Sequence, residues 1–165
     1  MFLTNDSDYV PFGAINKAVG DVASLLRTAL ADVVTFYTRA HGFHWNVKGS
    51  DFAQYHELFE SIYEDVYSSI DPMAENMLKL GVDAPFKLSD FIAYRTLPET
   101  TIGSADDPRS MASDLQKANL QLINTLNMAF TSANSSNEQG VANFLAERID
   151  MHKKWDWQLR SSLGM

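Results

Sequence analysis

The chain has 165 residues and a formal net charge of −8, from 21 acidic and 13 basic side chains. That length suits one domain with a full core, and the acidic balance argues against a surface built for nucleic acid or an anionic membrane while favouring cations. Cysteine is missing, which removes disulfides and thiolate chemistry; with neither a bilayer-length apolar run nor the basic start of a signal peptide, a cytoplasmic protein is expected.

Residues 1–13, MFLTNDSDYVPFG, read as an extended tail. Ile15, Val19, Val22, Leu26, Leu30, Val33 and Tyr37 mark a first long helix from about residue 14 to about residue 46, weakened locally at Gly20 and Gly42. After the tight link Val47-Lys48-Gly49-Ser50-Asp51, apolar residues from Phe52 through Phe59, Val66 and Met73 to Leu80 recur every three or four positions. They predict an amphipathic helix of about thirty residues, with Asp51 and Gln54 as its capping box and Gly81 as its stop. LSDFIAY, at residues 88–94 between Pro85 and Pro98, predicts one or two helical turns inside a crossover. Asp106-Asp107-Pro108 starts a third long helix, reaching about residue 132, with a carboxylate cap and proline in the first turn. A fourth follows the polar linker SANSSN, with Ser136 and Gln139 as an expected capping box and Val141, Leu145, Ile149, Trp155 and Leu159 as its apolar stripe. The expected fold is all-α, a four-helix bundle over residues 14–165 with a short helix in the crossover.

The polar groups of the second helix carry the functional signal. His56 and Glu60 are four residues apart on one face, as are Asp71 and Glu75. Imidazole and carboxylate at that spacing can share a divalent ion. Glu60 and Asp71 lie roughly 17 Å apart along one helix, too far for ligands that sit about 2 Å from a metal, yet on nearly the same side. The two pairs are symmetric about residues 65 and 66. Two copies packed antiparallel on a two-fold axis would therefore set His56 and Glu60 of one chain against Glu75 and Asp71 of the other, making two identical sites. His44, across the short link, can supply a second imidazole.

AHGFHWNVKG at 40–49, FAQYHELFE at 52–60 and IDPMAENMLKLG at 70–81 resemble the Dps family of ferritin-like mini-ferritins; IDMHKKWDWQLRS at 149–161 is similar to its last helix more weakly. The resemblance implies a ferritin-like four-helix bundle and a ferroxidase centre between two-fold-related subunits, with His44, His56, Glu60, Asp71 and Glu75 as iron ligands. It further implies a dodecameric shell, Fe²⁺ oxidation by hydrogen peroxide or oxygen, and Fe³⁺ storage that protects against oxidative stress. Glu60 departs from the aspartate usual at that position. Some members bind DNA through a lysine-rich tail; this chain has no Lys or Arg before Lys17, so direct DNA binding is not expected. Trp45 reads as a core aromatic, although the resemblance places a tryptophan there near the iron site as an oxidisable side chain. Glu138, Glu147 and Asp150 are candidates for an acidic iron-entry pore at a three-fold axis.

His41 and His152 read as structural or exposed, Glu57, Glu64 and Asp65 as solvated, and Met73, Met77 and Met151 as packing. Asp71-Pro72 has a rival reading as a cap that restarts a broken helix. A di-iron enzyme with Glu-x-x-His motifs inside one bundle is disfavoured, because no histidine has a glutamate three positions before it. The alternative function is a non-catalytic shell with an impaired metal site, acting as a scaffold or nucleoid protein.

Overall fold

The computed structural model describes residues 17–165, so the expected tail and the helix start near residue 14 lie outside the described residues. The chain forms α1 (Lys17–Asn46), α2 (Phe52–Lys79), α3 (Leu88–Tyr94), α4 (Pro108–Ser135) and α5 (Gln139–Leu163), with no strand among the described residues. The four long helices and the short crossover helix follow the apolar periodicity. Leu26, Leu30, Phe59, Ile62, Val66, Leu115, Leu122 and Leu145 are all fully buried in one shared core.

α1 packs against α2 and α4, and α4 against α5, while α3 lies on α1. Late α1 meets early α4 through Arg39 and Asp114, so these helices run antiparallel; Tyr55 reaching Ser162 and Asp65 reaching Arg148 set α2 against α5 in the same sense. Residues 80–107 therefore return the chain along the bundle, and α2 and α4 run parallel. Asp32, wholly buried on α1, anchors this crossover. Its carboxylate accepts from the Thr96 and Leu97 backbone N–H groups at 2.7 Å each, from the Thr96 hydroxyl at 2.7 Å and from the Thr125 hydroxyl of α4 at 2.9 Å. Arg39 adds hydrogen bonds to the Pro98 carbonyl and to Asp114.

The helix ends follow their chemistry in part. Asp107 caps α4 as expected, accepting from the Ser110 N–H at 3.0 Å with Pro108 behind it. Gly81 ends α2 at φ 79°, and Val82 N–H reaches back to the Met77 carbonyl. Two expected boxes are absent. Asp51 makes no side-chain cap bond, because Gly49 at φ 116° turns the link and its carbonyl takes the Phe52 N–H instead. α5 starts after Glu138, not Ser136: α4 runs on to Ser135 and Asn137 turns the chain at φ 59°. Nor does α2 restart at Asp71. It is continuous through Pro72, with Asn76 Nδ2 donating to the Pro72 carbonyl and Ser69 Oγ to the Val66 carbonyl.

Candidate metal centre

α1 ends and α2 begins one short link apart, and this brings His44 and His56 face to face. Their rings stack at 3.8 Å between centroids and 18° between planes. Each Nδ1 lies 2.9 Å from the other residue's backbone carbonyl. A carbonyl only accepts, so each Nδ1 carries the hydrogen and each Nε2 keeps its lone pair. The His44 carbonyl lies in the last turn of α1, where helix geometry leaves such groups without a partner. The pair thus satisfies the backbone at a helix end and holds both imidazoles in the tautomer that a metal needs.

Glu60 follows His56 by one turn. Phe52, His56, Glu60, Tyr63, Tyr67, Asp71, Glu75 and Leu78 form a stripe along α2, turned by roughly a third of a turn from the core-facing residues. All eight are at least partly exposed, and Asp71 and Glu75 are among the exposed ones. The carboxylates of Glu60, Asp71 and Glu75 have no hydrogen-bond or ion-pair partner among the described residues. Within one protomer, no group of three or more His, Asp or Glu among the described residues stands close enough to hold a metal ion. His44, His56 and Glu60 are brought to one end of the stripe, and Asp71 and Glu75 to the other.

Aromatic residues surround the histidine pair. Tyr63 meets His44 edge-on at 5.1 Å and stacks on His41 at 4.0 Å. His41 in turn lies 4.1 Å from Trp45, and Tyr37 places its hydroxyl 3.0 Å from His41 Nδ1. Burial and the neighbouring His44 push the His41 pKa down; burial, then Glu60, Glu64 and Tyr37, push that of Tyr63 up. Trp45 is not a core residue: it is 68% exposed, its ring tilted 43° against His41 beside the histidine pair. His41, read from the sequence as structural or exposed, lies beside the histidine pair; its one-turn spacing from Tyr37 and Trp45 on α1 was the one local hint, and its stacking on Tyr63 of α2 comes from the fold.

One other reading changes. Asp65 is not solvated. Arg148 grips it through both guanidinium nitrogens at 2.9 and 2.8 Å, and Trp155 Nε1 donates to it at 2.7 Å. Burial alone would raise this carboxyl, but those hydrogen bonds and the Arg148 charge carry it below its ordinary value. His152 is fully buried, with Nδ1 2.7 Å from Asn119 Oδ1; burial, helped by Arg148 and opposed by Asp65, drives its pKa to about 3. It is a structural residue, as the sequence suggested. Glu147 and Asp150 are exposed and Glu138 partly so.

A ferritin-like domain family model matches residues 23–165. The DNA protection during starvation protein of Brevibacillus brevis is 30% identical over 142 residues, covering 86% of this chain and 94% of that protein. Antigen TpF1 of Treponema pallidum is 34% identical over 85 residues, a match spanning 52% of this chain and about half (48%) of that relative's length. The crystal structure of that antigen superposes with a TM-score of 0.86 at 25% identity, covering 95% of this chain and all of that one. The Dps structure from Vibrio cholerae O1, described as belonging to a broad superfamily of ferritin-like diiron-carboxylate proteins, gives 0.85 at 25% identity over 97% and 99% of the two chains.

Proposed function

This chain belongs to the ferritin-like domain family, in its Dps branch, and from that premise we propose that it oxidises Fe²⁺ at sites shared by two subunits and stores the Fe³⁺ in a hollow shell. The observation that carries the reading is the reciprocal His44–His56 lock, which keeps both Nε2 lone pairs free, with an unpartnered Glu60 carboxylate one helical turn beyond His56 on α2. One chain offers two imidazoles and one carboxylate; a second copy, antiparallel across a two-fold axis, would offer Asp71 and Glu75. Mixed nitrogen and oxygen donors suit Fe²⁺. Iron is the substrate here. Two Fe²⁺ reduce one hydrogen peroxide, with two protons, to two waters and leave two Fe³⁺. The residues of the chain bind and orient the metal and need no acid-base machinery of their own.

The apolar surface supports pairing. Phe86 and Leu88, before and at the start of α3, are 82% and 80% exposed, as is Ile92 of α3 to a lesser degree, and Tyr67 and Leu78 are exposed on α2. Large apolar side chains left exposed on α2 and around α3 are surface that pairing with a second copy would cover. By family relationship the full shell is a dodecamer, in the cytoplasm, with Glu138, Glu147 and Asp150 lining its iron entry.

The test is anaerobic Fe²⁺ loading followed by hydrogen peroxide, with Fe³⁺ absorbance recorded for wild type and Glu75→Ala. Fast oxidation in wild type and its loss in the variant support the reading. Equal, buffer-like rates in both would leave a non-catalytic shell.

A further inference from the structure

A cavity of about 590 Å³ opens between α1, α3, the crossover after α3 and the first turn of α4, and none of the candidate metal ligands lines it. Phe43, Phe91, Ile102 and Met111 supply apolar wall; Arg39 and Arg95 bring charge. Protein interiors hold few voids larger than a water molecule, and this volume lies in the range of small-molecule sites. Gly42 lines the same space, and a Cβ built on it would meet nothing within 4 Å. Inside a helix glycine is a costly residue, so here helix stability is given up and the space stays open. α3 packs on α1 alone among the helices, and none of its seven residues is buried. The charge in the cavity is incompletely satisfied. The Arg39 side chain is 6% exposed; Nη1 donates to Asp114 at 3.2 Å and Nη2 to the Pro98 carbonyl, while Nε has no hydrogen-bond partner among the described residues. A buried donor left in that state is costly. Burial lowers the Arg39 pKa; Asp114 and Glu99 oppose the shift and Arg95 adds to it, so the two guanidinium groups feel each other. Arg95 is held by Glu99, whose side chain is 77% exposed, and an ion pair that open to water contributes little.

We propose that this cavity binds a single-chain carboxylate, its head group at Arg39 and Arg95 and its apolar chain beside Gly42 against Phe43 and Phe91. The carboxylate replaces Glu99 on Arg95 and offers Arg39 Nε the acceptor it lacks, a charge-assisted contact that a neutral head group cannot match. Asp114 is committed to Arg39 and to the Thr100 hydroxyl at 2.9 Å, and its charge disfavours a doubly negative head such as phosphate. Leu88 and Ile92, exposed at the α3 edge of the cavity, are side chains that a second copy would cover, and a copy seated there would close the mouth over the ligand. No candidate iron ligand takes part, so binding does not depend on iron oxidation.

The experiment is equilibrium dialysis of the full-length, assembled, iron-free protein against octanoate and, separately, against octanol. Wild type is expected to take up one octanoate per chain and to bind octanol about tenfold more weakly, because the alcohol brings no charge to the arginines. Arg95→Gln removes only a surface ion pair from the protein, yet should weaken octanoate about tenfold. Gly42→Leu places a side chain in open space; it should abolish binding while the urea midpoint matches or exceeds that of wild type. Should that variant fail to fold, Arg95→Gln and the octanol comparison decide. No octanoate on wild type, the result expected if a second copy fills the cavity, would overturn the proposal. So would octanol bound as tightly as octanoate, or unchanged octanoate affinity in either folded variant.

Discussion

His152 shows what one buried side chain does to the whole molecule. Its pKa of about 3 lies far below the ordinary 6.5, so between those values the unfolded chain binds a proton that the folded chain refuses. Its contribution to stability is complete above about pH 6.5 and is lost as pH falls toward 3. Asp65, whose pKa is also lowered, adds its own loss only below the ordinary carboxylate range near pH 4. His152→Gln keeps a donor for Asn119 and removes the charge. The urea midpoint of wild type should therefore fall from pH 7 to pH 5 by more than that of the variant. Parallel falls would show that His152 does not titrate with folding. The pairing of Asp65 with Arg148 and Trp155 was not legible, because 83 and 90 residues separate the partners and helical spacing speaks only for neighbours.

The long helices were legible because each has an apolar stripe with a helical period, and Asp107-Pro108 and Gly81 mark ends by local backbone chemistry alone. The caps expected at Asp51 and Ser136 failed where neighbouring residues at positive φ, Gly49 and Asn137, reset the turn. The anchor of the crossover was illegible for another reason: Asp32 stands inside an apolar run, and nothing nearby in sequence announces its partners at residues 96, 97 and 125. Asp32→Ala would leave the Thr96 and Leu97 N–H groups without their acceptor and should cost about 3–5 kcal/mol. Hydrogen exchange at those two amides would report it. They should be protected in wild type and exchange early in the variant; unchanged protection would mean that the crossover is held by its apolar contacts.

At the scale of the molecule, one protomer carries the candidate ligands in two separate groups. His44 and His56 lock each other at one end of the α2 stripe, Asp71 and Glu75 stand exposed at the other, and about 17 Å of helix separates Glu60 from Asp71. That division was legible from spacing, since the two pairs are symmetric about residues 65 and 66. The tautomer lock and the aromatic rim were not, because they depend on how the link folds α2 back on α1. The claim that two chains complete one site has a direct test in mixed shells. His56→Ala and Glu75→Ala are each expected to be inactive alone. Co-assembled in equal amounts, half their dimers pair unlike chains, and each such dimer keeps one site with an intact histidine side and an intact acidic side. The mixture should then recover about a quarter of the wild-type Fe²⁺ oxidation rate on addition of hydrogen peroxide. A co-assembled mixture as inactive as its parents would contradict the shared site.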